Sequence, residues 1–330
     1  MGEALEVAKV LVEPTMKLLD MVGGAIGTLY EPKHKRKMAD ATAYEINSIG
    51  EAIRNAADMP VVYDQNGVAI NSEDFNRLMQ RAGTRLVLQE TIKQHNIENV
   101  IDNAYEILEK EERCSKEPVE QGWINRFFDS VADISDEDLQ KLWGKVLAGE
   151  IKQPKSYSLR TLETLKNLSK HEGELFQKIA PYILREGNNC FLLSNSEILN
   201  KYNIQYKEIM QLDECGLINS GASVSLTIFL SNSNNADIFN KSYMLSLESL
   251  SSSITQIAIG DYALTRAGIE LYSILDISSN SDIIYDVAKM IEKKNPPNVK
   301  MKIYKVNYIE GQTINYEDIV LREYTTKGKQ

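Results

Sequence analysis

The sequence predicts a mainly α protein, with a helical N-terminal half followed by an α+β C-terminal half. Three observations carry this. Apolar residues recur three and four apart through most of residues 1–185. Cap residues and prolines fall where those periodic runs start and stop. Past Arg185 the pattern shortens into alternating strand-like runs, separated by stretches rich in Asn, Ser and Gly.

The helical reading starts with Val7, Val10 and Leu11, continues with Leu18, Leu19, Val22 and Ile26, and uses Pro14 to open a new helix. A third helix follows Pro32, and "MPVVYDQNGVAIN" reads as an extended connector or hairpin with an Asn-Gly turn. Ser72 caps the next helix, a break is expected at "HNIEN" with Asn96 as a second cap, and the acidic "LEKEERCSKEP" reads as a linker. In "VEQGWINRFFDSVADI", Trp123, Phe127 and Val131 share one face.

The most specific run is "LWGKVLAGEIKQPKSYSLRTLETLKNLS". Ser135 and Asp138 resemble a capping box, after which Leu139, Leu142, Trp143, Val146, Leu147 and Ile151 form an apolar stripe. Pro154 ends that helix, Ser158 caps the next, and Ser169 with Glu172 opens a third. Trp143, Glu150, Ser158, Arg160 and Thr161 are the residues of this structural motif. They predict a loop held in one shape, with Arg160 bonding helix ends or Glu150. The competing reading is a polar pocket made of Glu150, Ser158, Arg160 and Thr161, which lacks the positioned base that nucleophilic catalysis needs. No catalytic residue is assigned.

"IGTLYEP", "LWGKVLAGEI" and "PKSYSLRTL", in this order, resemble an uncharacterised bacterial family of unknown function, and more distantly the Abi-alpha abortive-infection proteins. The resemblance implies a phage-defence or stress-response role. It supplies no active-site motif.

In the C-terminal half, "NNCFLLS" reads as a strand, "SEILNKYN" and "YKEIMQLDECGLIN" as helices, and "ASVSLTIFLS" as a strand. "QIAIGDYALTRAGIELYSIL" resembles the last wing strand and closing helix of a winged-helix domain, so this half is expected to be winged-helix-like. The Ser- and Asn-rich "SNSNNADIFNKSYMLSLESLSSSITQ" reads as a solvated loop or long wing. A helix, a Pro-Pro turn and a strand carrying Val299, Met301, Ile303 and Val306 close the chain. The organisation expected is a helical segment 1–60, a helical middle domain 61–185, a winged-helix-like domain 186–278 and a small α/β tail 279–330.

With 330 residues, 43% of them hydrophobic, the chain can build two or three compact units. Cys114, Cys190 and Cys215 form no C-x-x-C pair, so neither a disulfide framework nor a cysteine zinc site is expected. Glu3 and Glu6 stand where a signal peptide would be basic, and Glu6, Lys9, Glu13, Lys17 and Asp20 interrupt any span within 4–30. A cytoplasmic location is expected.

A net charge of −10 argues against general affinity for nucleic acid, and the candidate recognition helix has Lys207 against Glu208, Asp213 and Glu214. A nucleic-acid-binding regulator remains an alternative reading, as does a hydrolase with an unrecognised site. His34, His95 and His171 lack metal-ligand spacing, and no phosphate-binding glycine loop occurs in a strand–turn–helix context. No cofactor and no metal is expected.

Gly23 and Gly27 lie four apart on one helix face, where a second backbone can approach closely. The basic run Lys33, Lys35, Arg36 and Lys37 suits an acidic partner or anionic headgroups. These residues suit close packing within the chain's own fold or a homo-oligomer joined through 4–57; the homo-oligomer is expected, acting by interaction. A phage or host protein as trigger is what the resemblance implies.

Overall fold

The computed structural model describes residues 11–26, 72–221, 226–231, 234–310 and 313–328. The chain divides into two compact units, Met1–Leu162 and Glu163–Gln330.

The first unit is mainly helical among its described residues. Strand β1 (Leu11–Val12) pairs antiparallel with β2 (Cys114–Ser115), within the stretch read as a linker. Helix α1 (Pro14–Ile26) has its proline at the first position, where the missing N–H has no intrahelical partner to lose. Helix α2 (Ser72–Leu108) runs unbroken for 37 residues. The break expected at "HNIEN" is absent because Asn96 does not cap. It is buried, its amide donates to Ala132 O at 2.8 Å, and its oxygen accepts from Gln140 at 3.3 Å.

Helix α3 (Gln121–Val131) and helix α4 (Glu137–Lys152) complete the core, with Asp136 rather than Ser135 capping α4 through the N–H groups of Asp138 and Leu139. Trp123 stacks on Phe127 at 5.0 Å, and Phe127 meets Trp143 edge-on at 5.4 Å. The crossing of α4 over α2 needs Gly144, since a Cβ there would lie 2.6 Å from Asn103 Cβ. Helix α5 (Leu159–Asn167) carries the chain into the second unit.

The second unit opens with α6 (Lys170–Ile179), which begins at a capping box of Ser169 and Glu172. Strands β3 (Leu184–Glu186) and β4 (Asn189–Leu193) follow, then α7 (Ser196–Lys201), α8 (Tyr206–Glu214) and β5 (Ile218–Asn219). Next come β6 (Thr227–Leu230), β7 (Ala236–Phe239), β8 (Tyr243–Ser249), β9 (Thr255–Ala258) and β10 (Asp261–Leu264). The chain ends with α9 (Arg266–Ile274), α10 (Asp282–Lys294), β11 (Val299–Glu310), β12 (Thr313–Tyr316) and β13 (Arg322–Thr325).

Nine of these strands form one antiparallel sheet in the order β12-β11-β8-β7-β3-β4-β10-β5, with β13 also on β11; β6 and β9 form a separate pair. Strand alternation divides the apolar residues between two faces. Leu184, Phe191, Ile238, Leu245, Met301 and Ile303 join α10 and the β6–β9 pair in the main core. Phe239, Met244, Tyr304 and Val306 form a smaller cluster.

This sheet corrects the expected fold class. The C-terminal half is not a winged-helix-like appendage to a mainly α protein. Strand β10 does lie between β4 and β5, but β4 goes on to pair with β3, and the ladder continues through β7 and β8 to β11. The Ser- and Asn-rich stretch read as a solvated loop supplies β7 and β8, in mid-sheet. Its polar residues build the turn between them: buried Asn240 accepts from Ser242 N and Tyr243 N and donates to Asn280 O. Among the described residues, no helix is long and apolar enough to cross a membrane.

Candidate functional site: a braced turn and an exposed helix face

The turn after α4 is built around Glu150, a residue only 2% exposed. One oxygen accepts from Lys155 N at 2.6 Å, the other from Tyr157 N at 2.9 Å. The two bonds hold Lys155 in a left-handed conformation, φ 71°. Trp123 Nε1 donates to Tyr157 O at 2.8 Å, tying the turn to the core. The Tyr157 ring lies on Gly149, where a Cβ would come within 2.7 Å of it.

Lys17 of α1 closes the other side, donating to Ser115 O at 2.7 Å and Ile151 O at 2.8 Å. Ile151 O is among the last carbonyls of α4, where a cation is favoured. Burial holds the Lys17 amine below the ordinary lysine range, against the opposing pull of Cys114, Glu117 and Glu150. Burial also pushes the Cys114 thiol up. Outside the turn, Lys152 pairs with Glu111 at 2.5 Å and Lys155 with Glu117 at 2.6 Å.

The sequence-designated residues thus fall in distinct places. Trp143 is fully buried in the helical core. Ser158 caps α5 by accepting from Thr161 N at 3.3 Å, and its hydroxyl lies 3.0 Å from that of buried Thr161. Arg160 does not bond Glu150, whose oxygens accept backbone N–H groups instead; it is exposed, without a hydrogen bond or ion pair among the described residues. Gly23 is half-buried, and a Cβ there would meet nothing within 4 Å. Gly27, Lys33, Lys35, Arg36 and Lys37 lie outside the described residues.

In the second unit, Asp286 gathers Lys201 Nζ at 2.6 and 2.9 Å and the Tyr202 hydroxyl at 2.5 Å, while the Tyr182 and Tyr202 rings approach to 4.5 Å. Burial, then the bond to Asp286, raises the Tyr202 phenol. A second group surrounds Cys190, which sits opposite Arg185 across β3 and β4. Burial pushes up the Cys190 thiol and takes the nearby Tyr272 phenol to about 12. A thiol held protonated in this way is a poor nucleophile. Among the described residues, no group of three His, Cys, Asp or Glu is placed to hold a metal ion.

Sequence reasoning missed the N-terminal half of α2. From Asn96 onward the helix buries Val100, Ile101, Ala104 and Leu108. Before that point the same apolar stripe continues through Met79, Ala82 and Leu86, but there it is open. Leu78 is 54% exposed and Leu86 55%; Met79, Leu88 and Ile92 are exposed as well. Helical periodicity gives the stripe but not where its cover ends.

No curated protein and no solved structure matches this chain. A family described as a protein of unknown function, DUF2806, matches residues 80–288, a stretch that holds the braced turn and the Lys201–Tyr202–Asp286 group. The chain therefore belongs to DUF2806, a protein family of unknown function.

Proposed function

We propose that this protein works by contact with other proteins, including its own copies, rather than by chemistry, and that the setting is bacterial phage defence or stress response. The observation that carries the first statement is the open apolar stripe of α2, with Leu78, Met79 and Leu86 exposed on one helix face. Contiguous exposed apolar surface of this kind marks interaction sites. The polar groups of the braced turn point the same way, since Glu150 and Lys17 bond backbone groups and fix shape. The setting rests on the more distant resemblance of the chain's arrangement to the Abi-alpha abortive-infection proteins, while "IGTLYEP", "LWGKVLAGEI" and "PKSYSLRTL" resemble a bacterial family of unknown function.

The test is expression in bacteria challenged with a broad phage panel, scoring plaques and culture survival. Fewer plaques with the wild type, with plaque numbers restored by Leu78→Glu with Leu86→Glu, is the expected result. Equal plaquing with and without the protein across the panel removes the defence setting. Light scattering on the purified full chain tests self-association separately.

A further inference from the structure

The open stripe of α2 has a row of arginines along one side, while Glu90, paired with Lys93 at 3.0 Å, stands at its other edge. Arg77, Arg81 and Arg85 follow one another at i, i+4 and i+8, all exposed, along the flank of Leu78, Ala82 and Leu86. Leu88 and Ile92 continue the same flank, seven residues after Arg81 and Arg85. Like charges at i, i+4 destabilise a helix. Arg81 and Arg85 have no Asp or Glu three or four residues away to offset this, and among the described residues neither makes an ion pair or hydrogen bond. The row is also set against the sign of the whole chain, whose net charge is −10.

From this juxtaposition we propose that α2 is a docking surface for an acidic amphipathic helix of a partner protein. The partner's apolar face covers Leu78, Met79, Ala82 and Leu86, and its flanking carboxylates meet Arg81 and Arg85. Two physical arguments select that occupant. A helix lying along a helix buries a stripe of this width. Flanking charges set partner choice, and a guanidinium fork matches a carboxylate in two-point geometry. The proposal rests on the interaction reading above and names the partner's chemistry.

The probes are two synthetic amphipathic helices with leucine on the apolar face, one flanked by glutamate and one by lysine, titrated against the full-length protein by fluorescence anisotropy. The glutamate helix is expected to bind saturably and more weakly as salt rises, and the lysine helix to fail. Arg81→Glu with Arg85→Glu should weaken the glutamate helix by roughly tenfold or more and admit the lysine helix. These side chains are exposed, and circular dichroism verifies that each variant is folded.

Absence of saturable binding by the glutamate helix overturns the proposal, as does binding indifferent to the arginine reversals. Arginine-dependent binding to phosphatidylserine vesicles without binding to the peptide identifies a lipid surface instead. A wild-type dimer that becomes a monomer with Leu86→Glu identifies a second copy as the occupant. Each of these results leaves the phage-challenge outcome to be judged by itself.

Discussion

At the scale of single residues, Trp143 and Glu150 illustrate what a sequence can and cannot say. The burial of Trp143 was legible, because it sits on a stripe whose spacing leaves one inward face. Trp143→Ala is expected to cost about 3–5 kcal/mol in urea unfolding. A midpoint indistinguishable from wild type would remove the tryptophan from the core. The partners of Glu150 were not legible. They are the N–H groups of Lys155 and Tyr157, and a backbone donor is the same in every sequence. Arg160 was the more conspicuous candidate and stays outside the bond set. Glu150→Gln places an amide N–H against one of two backbone donors, so a loss of about 1–3 kcal/mol is expected. Arg160→Ala should leave the unfolding midpoint nearly unchanged.

At the scale of elements, one capping box was legible from its two halves in sequence, whereas for α4 the cap is Asp136, one residue past the expected Ser135. The legible one is the Ser169–Glu172 box, with the Glu172 carboxylate accepting from Ser169 Oγ at 2.6 Å and Ser169 N at 2.7 Å. Those bonds, the hydroxyl's foremost, hold the Glu172 carboxyl below the ordinary glutamate range. The folded state then binds fewer protons than the unfolded state under mild acid. The stabilisation is complete above the ordinary glutamate value and disappears as pH falls through the lowered one. Wild type should therefore exceed Glu172→Gln in stability more at about pH 7 than at about pH 3. A difference that does not change with pH would exclude an ionised cap.

Asn96 was misread because a cap and a buried cross-link use the same side chain, and only the positions of Ala132 and Gln140 decide between them. Asn96→Ala should lower the midpoint while helix content stays the same by circular dichroism.

At the scale of the whole molecule, the helices among the described residues of the first unit were legible through periodicity and the sheet was not. Strand β8 has alternating burial, but its flanks carry the Asn and Ser that composition assigns to loops. Which strand neighbours which depends on pairing across long stretches of chain, for which local pattern holds no signal. The pairing of β8 with β11 from Ser249–Val299 to Tyr243–Lys305 is the clearest instance.

That pairing also has a consequence in time. Synthesis runs from the N-terminus, so β8 leaves the ribosome well before β11 exists. Until β11 arrives, β8 has one side paired and the other side bare, with Met244, Leu245 and Leu247 in the strand. Bare strand edges recruit other chains. A stop after Asn298 would make this interval permanent, and such a product should accumulate in inclusion bodies while the full-length chain stays in solution. The last strands are thus guards of those made before them, and a ribosome that stalls late on this message releases a more adhesive product than one that stalls before β8 is made.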